Sequence, residues 1–96
     1  MKLSVIFPVY NEQATVREIL DQVLAFQMEG LDLEVIIVEG NSTDGTTEII
    51  REYEANPKVR VFYEEHPKGK GAAVRKGLSE VTGDIVLIQD GDLEYK

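Results

Sequence analysis

Asp90 and Asp92 stand two apart around Gly91. Side chains two apart in an extended segment point the same way, and glycine lets the backbone turn tightly between them. Two carboxylates held together repel, and a divalent cation relieves the repulsion. Mg²⁺ typically takes one or two carboxylates, several waters and substrate phosphates, so the pair suits a metal on a phosphorylated ligand. An Asp-Gly dipeptide also makes ordinary solvated turns. Placement directly after the apolar run Ile85-Val86-Leu87-Ile88 favours the metal.

Lys68-Gly69-Lys70-Gly71 precedes a predicted helix start. Glycine lets backbone N–H groups approach an anion, and the helix dipole with two lysines favours negative charge there. The spacing matches neither the P-loop nor the dinucleotide fingerprint, and a solvated basic loop fits the same residues. Arg75, one turn further on, fits a phosphate contact or a surface ion pair. Glu39 ends an otherwise apolar strand, where a carboxylate needs a partner; a base or a ribose is one candidate. Ser42-Thr43-Asp44-Gly45-Thr46 reads as a helix N-cap cluster. His66, the only histidine, reads as a loop residue, and no Ser-His-Asp or Cys-His set exists.

The elements that must position these residues alternate between two periods. Leu3 to Val9, Leu33 to Val38, Val59 to Tyr63 and Asp84 to Gln89 are short apolar runs that read as strands. Val16, Ile19, Leu20, Val23 and Leu24 form one helical stripe, with Thr15 and Glu18 as a capping box and Gly30 as the stop. A second helix is predicted over Thr46 to Glu54. A third covers Lys70 to Val81, with Gly71, Val74, Leu78 and Val81 on one face and Gly83 as its stop. The βαβαβαβ pattern implies an α/β fold: a Rossmann-like parallel sheet of four strands, ordered 3-2-1-4, with three helices. Ligands bind such sheets at the carboxyl ends of the strands. Those four ends carry Tyr10-Asn11-Glu12, Glu39 to Thr46, Glu64 to Gly71 and Asp90-Gly91-Asp92, whereas the opposite edge has only plain connections.

Composition bounds the chemistry. The 96 residues are 43% hydrophobic and 29% charged, as in an ordinary single globular domain. A net charge of −8 argues against nucleic acid as a partner, since that needs a basic surface. There is no cysteine, hence no disulfide or zinc-thiolate site. No apolar run reaches the ~18 residues of a membrane span, and the start does not read as a signal peptide. A cytoplasmic location is expected by default.

With these residues in place, the chain resembles the N-terminal part of family 2 glycosyltransferases of the GT-A fold, and in particular those similar to dolichyl-phosphate mannose synthase and other polyprenyl-phosphate glycosyltransferases. Pro8-Val9-Tyr10-Asn11-Glu12, Val38 to Thr46, Gly69 to Leu78, and Thr82-Gly83-Asp84-Ile85 leading to Asp90-Gly91-Asp92-Leu93 carry the likeness. Each motif is weak alone; four in order are specific. The resemblance implies a UDP- or GDP-linked sugar donor and Mg²⁺ or Mn²⁺. It implies that Pro8, Tyr10 and Glu12 line the base and ribose pocket, that Glu39 contacts the base, and that Lys70 and Arg75 lie near the ribose and diphosphate. Asp90 would help bind the nucleotide, and Asp92, with Asp90, would hold the metal. The family transfers sugar with inversion.

Two departures matter. Glu39-Gly40-Asn41 stands where the family commonly has Asp-Asp-Gly, which leaves the choice of base open. The family's acceptor half and general base lie beyond Lys96, so the resemblance implies a truncated domain, 1–96, with no catalytic base and no activity alone. Such a truncation would leave Ile85 to Ile88 as an unpaired apolar edge, and a homodimer or higher oligomer across it is expected. A non-catalytic nucleotide-binding module is the alternative. A receiver-like phosphoacceptor fits poorly, because Asn11-Glu12 is not the acidic pair it requires.

Overall fold

In the computed structural model, residues 1–89 are described. In chain order they form β1 (Lys2–Val9), α1 (Val16–Ala25), β2 (Asp32–Glu39), α2 (Thr46–Tyr53), β3 (Val59–Tyr63), α3 (Lys70–Glu80) and β4 (Ile85–Ile88). The strands build one sheet in the order β3-β2-β1-β4, with every pair parallel. Fold class, strand order and element count are those the sequence predicts.

Alternation along the strands explains the layers. Phe7, Val9, Val35, Ile37 and Val59 face one side, where Val16, Ile19 and Leu20 of α1 and Ile50 of α2 close over them. Full burial of each such aliphatic or aromatic side chain contributes roughly 1.5–3 kcal/mol. Ile6 and Ile36 point the other way, also fully buried, and there α3 covers the sheet. The central strands are apolar on both faces because both are covered.

Four local expectations are corrected. Thr15 makes no side-chain cap bond at the start of α1; the Glu12 carbonyl instead accepts the Thr15 and Val16 amides, at 3.0 and 2.8 Å. That helix ends at Ala25, and Gly30 sits later, in the turn before β2, at φ +77°. The buried face of α3 is Ala73 and Gly77, while Leu78 is 49% exposed. A Cβ on Gly77 would lie 2.5 Å from an Ile6 methyl, so small residues bring this helix down onto the sheet. Gly83 is no helix stop either: α3 ends at Glu80, and a Cβ on Gly83 would lie 2.5 Å from Ser4 Oγ and 2.9 Å from the Lys2 carbonyl.

That close approach belongs to a clasp at the amino end of the sheet. Glu34 is buried on β2 and accepts hydrogen bonds from Ser4 Oγ (2.5 Å), the Thr82 amide (2.8 Å) and the Thr82 hydroxyl (3.0 Å). Lys2 and Arg60 stand 3.6 and 3.7 Å from its other oxygen. The Gly83 amide donates to Ser4 Oγ at 2.9 Å. At one side of the sheet, β4 has no strand beyond it among the described residues. Ile85, Leu87 and Ile88 are about half exposed there, at 43, 54 and 51%.

Candidate functional site

The carboxyl ends of β1 and β2 and the loop before α3 enclose a cavity of about 230 Å³. Its walls include Pro8, Tyr10, Glu12 and Gly40 on one side and Pro67, Lys68, Gly69 and Lys70 on the other. The floor is Ala73 of α3. Pro8 is the last residue but one of β1, and Tyr10 lies just past the strand, 43% exposed, with its ring against Gly40. The N-terminus of α3, the positive end of its helix dipole, lies on this side. An apolar shelf, two carboxylates (Glu12 and Glu64) and two ammonium groups thus converge in one hollow at a helix N-terminus, an arrangement suited to a phosphorylated ligand with a flat ring.

Three loops form the rim, and two asparagines join them. Val9 and Glu39 are register partners at the ends of β1 and β2. Two residues beyond them, Asn11 and Asn41 occupy the left-handed region, at φ +52° and +63°. Asn and Asp enter this region more readily than other side chains. Asn11 binds the β2–α2 loop: its amide donates to Ser42 Oγ at 2.9 Å, and its Oδ1 accepts from the Thr43 amide at 2.8 Å. Asn41 reaches the next loop, donating from Nδ2 to the Glu65 carbonyl at 2.8 Å. Sequence reasoning missed both. The available signal was an Asn placed two residues after each of two aligned strand ends.

Glu39 departs from its expected place. It is fully buried and does not line the cavity. Its carboxylate accepts from the Asn41 amide (3.1 Å), the Ser42 amide (3.0 Å), the Ser42 hydroxyl and the Thr47 hydroxyl (3.0 Å). Its partners come from its own loop, so Glu39 holds that loop's shape. Gly45 stands at the N-cap of α2, which has no side-chain cap bond; Asp44, foreseen within an N-cap cluster, lies one residue earlier. Its Oδ1 accepts from the Thr46 amide at 2.8 Å and the Thr46 hydroxyl at 2.5 Å. Desolvation pushes the Asp44 carboxyl up, but the bonds from Thr46 and the Gln13 amide outweigh it and hold the group below its ordinary range.

Arg75 does not line the cavity; its guanidinium lies back over the first turn of α3, 3.4 Å from where a Gly71 Cβ would stand. Pro8, Tyr10, Glu12 and Lys70 are brought together as expected. Asp90 and Asp92 lie outside the described residues. Among the described residues no group of three or more His, Cys, Asp or Glu side chains could hold a metal. The Gln89 amide donates to the Ile6 carbonyl at 2.8 Å, which carries β4 toward the same end of the sheet.

A model of the family described as glycosyl transferase family 2 matches residues 4–96. The chain belongs to glycosyl transferase family 2. A dolichol-phosphate mannosyltransferase of Pyrococcus furiosus is 34% identical over 95 residues, which are 99% of this family 2 chain and 27% of the relative. Residues 1–349 of TarS from S. aureus, solved in complex with UDP-GlcNAc, superpose with a TM-score of 0.81 at 32% identity. The match covers 96% of this chain and 27% of that one. A mannosyltransferase from Pyrobaculum calidifontis, solved with GDP-Man and Mn²⁺, gives a TM-score of 0.79 at 35% identity. It is matched over 94% of this chain and 27% of its own. The four-stranded sheet and its helices are the N-terminal part of the GT-A fold. No described helix of this family 2 chain is long and apolar enough to cross a membrane.

Proposed function

We propose that the cavity binds the nucleoside diphosphate of a UDP- or GDP-linked sugar donor. The sugar would pass with inversion to a lipid-phosphate or saccharide acceptor in the whole protein. The observation that carries this reading is the convergence of Pro8, Tyr10 and Glu12 with Lys68 and Lys70 across one hollow. The Tyr10 ring and Pro8 offer a surface for a base. Glu12 offers a carboxylate to ribose hydroxyls, which donate hydrogen bonds to it. Lys68, Lys70 and the first N–H groups of α3 meet the diphosphate. Complexes of related chains with UDP-GlcNAc and with GDP-Man and Mn²⁺ support the ligand class.

Asp90 and Asp92 are the residues that would hold Mg²⁺ or Mn²⁺. Two carboxylates beside a diphosphate suit such a cation, and when bound it would neutralise charge on the departing nucleoside diphosphate. Calorimetry with UDP and GDP, with and without Mn²⁺, tests the reading. One of the two nucleotides is expected to bind in a metal-dependent way, and Asp92→Ala to weaken it at least ten-fold. A folded protein that binds neither nucleotide would overturn the proposal.

The half-exposed β4 is proposed to pair with β4 of a second copy, because an apolar edge with no strand beyond it among the described residues invites another strand. Sedimentation should show self-association that rises with concentration and disappears in Leu87→Lys. A strictly monomeric wild type would rule it out.

A further inference from the structure

The side-chain amide of Asn41 bonds the β2–α2 loop to the lysine-bearing loop before α3. A left-handed residue is needed at this position, at φ +63°. Glycine would meet that need without any steric cost. Asn41 adds something glycine cannot: Nδ2 donates to the Glu65 carbonyl across 24 residues of sequence. The sheet pairing reaches Glu64, whose amide donates to the Glu39 carbonyl at 2.8 Å. The Asn41 bond therefore extends the attachment by one residue past the last strand contact. On the far side, α3 begins at Lys70, and the Ala73 amide returns to the Gly69 carbonyl at 3.1 Å. Only His66, Pro67 and Lys68 lie between these two fixed points, and Pro67 narrows the backbone choices of that span further. Pro67, Lys68, Gly69 and Lys70 are the cavity's basic wall.

We infer that Asn41 is a positioning residue: it holds the Glu65–Lys70 loop so that Lys68 and Lys70 face the cavity, and it thereby tunes affinity for the diphosphate and leaves the base and ribose contacts alone. Asn41 itself lies outside the cavity lining. Tyr10, Pro8 and Glu12, which face the base and ribose, stand on β1 and its loop, tied down separately through Asn11. The inference rests on the donor-binding reading above for its ligand, but the tether itself does not.

Two measurements separate the parts. Limited trypsin digestion after Lys68 and Lys70 reports how firmly the loop is held, with no ligand present. In Asn41→Gly, which keeps the left-handed turn and the backbone bond to Glu39, cleavage there should rise about five-fold, the size of one lost hydrogen bond. Asn41→Asp has no amide donor and should do the same. The second measurement compares the nucleoside diphosphate with the matching nucleoside. The diphosphate should bind about five-fold more weakly to Asn41→Gly, with nucleoside affinity and thermal midpoint close to wild type. Unchanged cleavage would overturn the tether. Faster cleavage with equal losses for diphosphate and nucleoside would overturn the positioning role. A wild type that binds no nucleotide would overturn the diphosphate role together with the donor reading, and the cleavage result would still decide the tether.

Discussion

β2 carries two buried glutamates, Glu34 near its start and Glu39 at its end, 6 and 0% exposed. Both carboxylates accept several hydrogen bonds, yet they connect different things. Glu34 gathers partners from far along the chain: Ser4 lies 30 residues away and Thr82 lies 48 away, with Lys2 and Arg60 alongside. Glu39 binds only within its own neighbourhood, from Asn41 to Thr47. The first staples β1, β2 and the turn before β4 into one body. The second shapes a single loop at the ligand end. The same side chain on one strand thus serves stability at the closed edge of the sheet and site geometry at the open edge.

The largest expected effect is at Glu34. Glu34→Ala strips the Thr82 amide and Ser4 of a charged acceptor and should cost about 3 kcal/mol, read from urea midpoints. Nucleotide affinity of the folded variant should match wild type. Burial pushes the Glu34 carboxyl up, but bonds from Ser4 and Thr82 and the charge of Lys2 more than offset it, leaving the group below its ordinary value of 4.5. A depressed folded-state value means that this stability is present above the unfolded value and lost as pH falls through the folded one. Wild type should therefore lose this contribution below about pH 4.5, and Glu34→Ala should lack that acid limb. A smaller stability effect, about 1–2 kcal/mol, is expected for Glu39→Ala, joined by about ten-fold weaker nucleotide binding as the loop behind Tyr10 relaxes. Equal stability losses with intact binding in both variants would erase the contrast.

Most of the frame was legible in the sequence because strands and helices here follow apolar periodicity closely. Apart from α1, which ends at Ala25 before the expected stop at Gly30, the strands and helices begin and end near the predicted residues, and the 3-2-1-4 order is the simplest doubly wound arrangement. Helix α3 misled, since its predicted face was chosen by apolar size. It packs through Ala73 and Gly77 because closeness to Ile6, not side-chain area, decides that contact. Gly30 and Gly83 were assigned as helix stops by residue type, whereas a turn and a backbone crossing account for them. Around the cavity, Tyr10, Glu12 and Lys70 were legible as polar residues at a strand end and a helix start, and Pro8 through the family resemblance. Glu39 was not, because residue type gives no hint whether a strand-end carboxylate turns outward to a ligand or inward to its own loop. Asn11 and Asn41 were missed for a related reason: their use depends on a positive φ that no period reveals.

The place of β1 has a consequence for how the chain is made. Of the four described strands it is made first, yet it sits inside the sheet, and its partner on one side is the one made last of the four, with Leu3 beside Ile85. Synthesis proceeds at about 5–20 residues per second. The β4-facing edge of β1 therefore stays open for roughly 4–16 s on the ribosome. Until Ile88 emerges, the edge of β1 from Leu3 to Ile6 lacks the strand that pairs with it in the folded sheet.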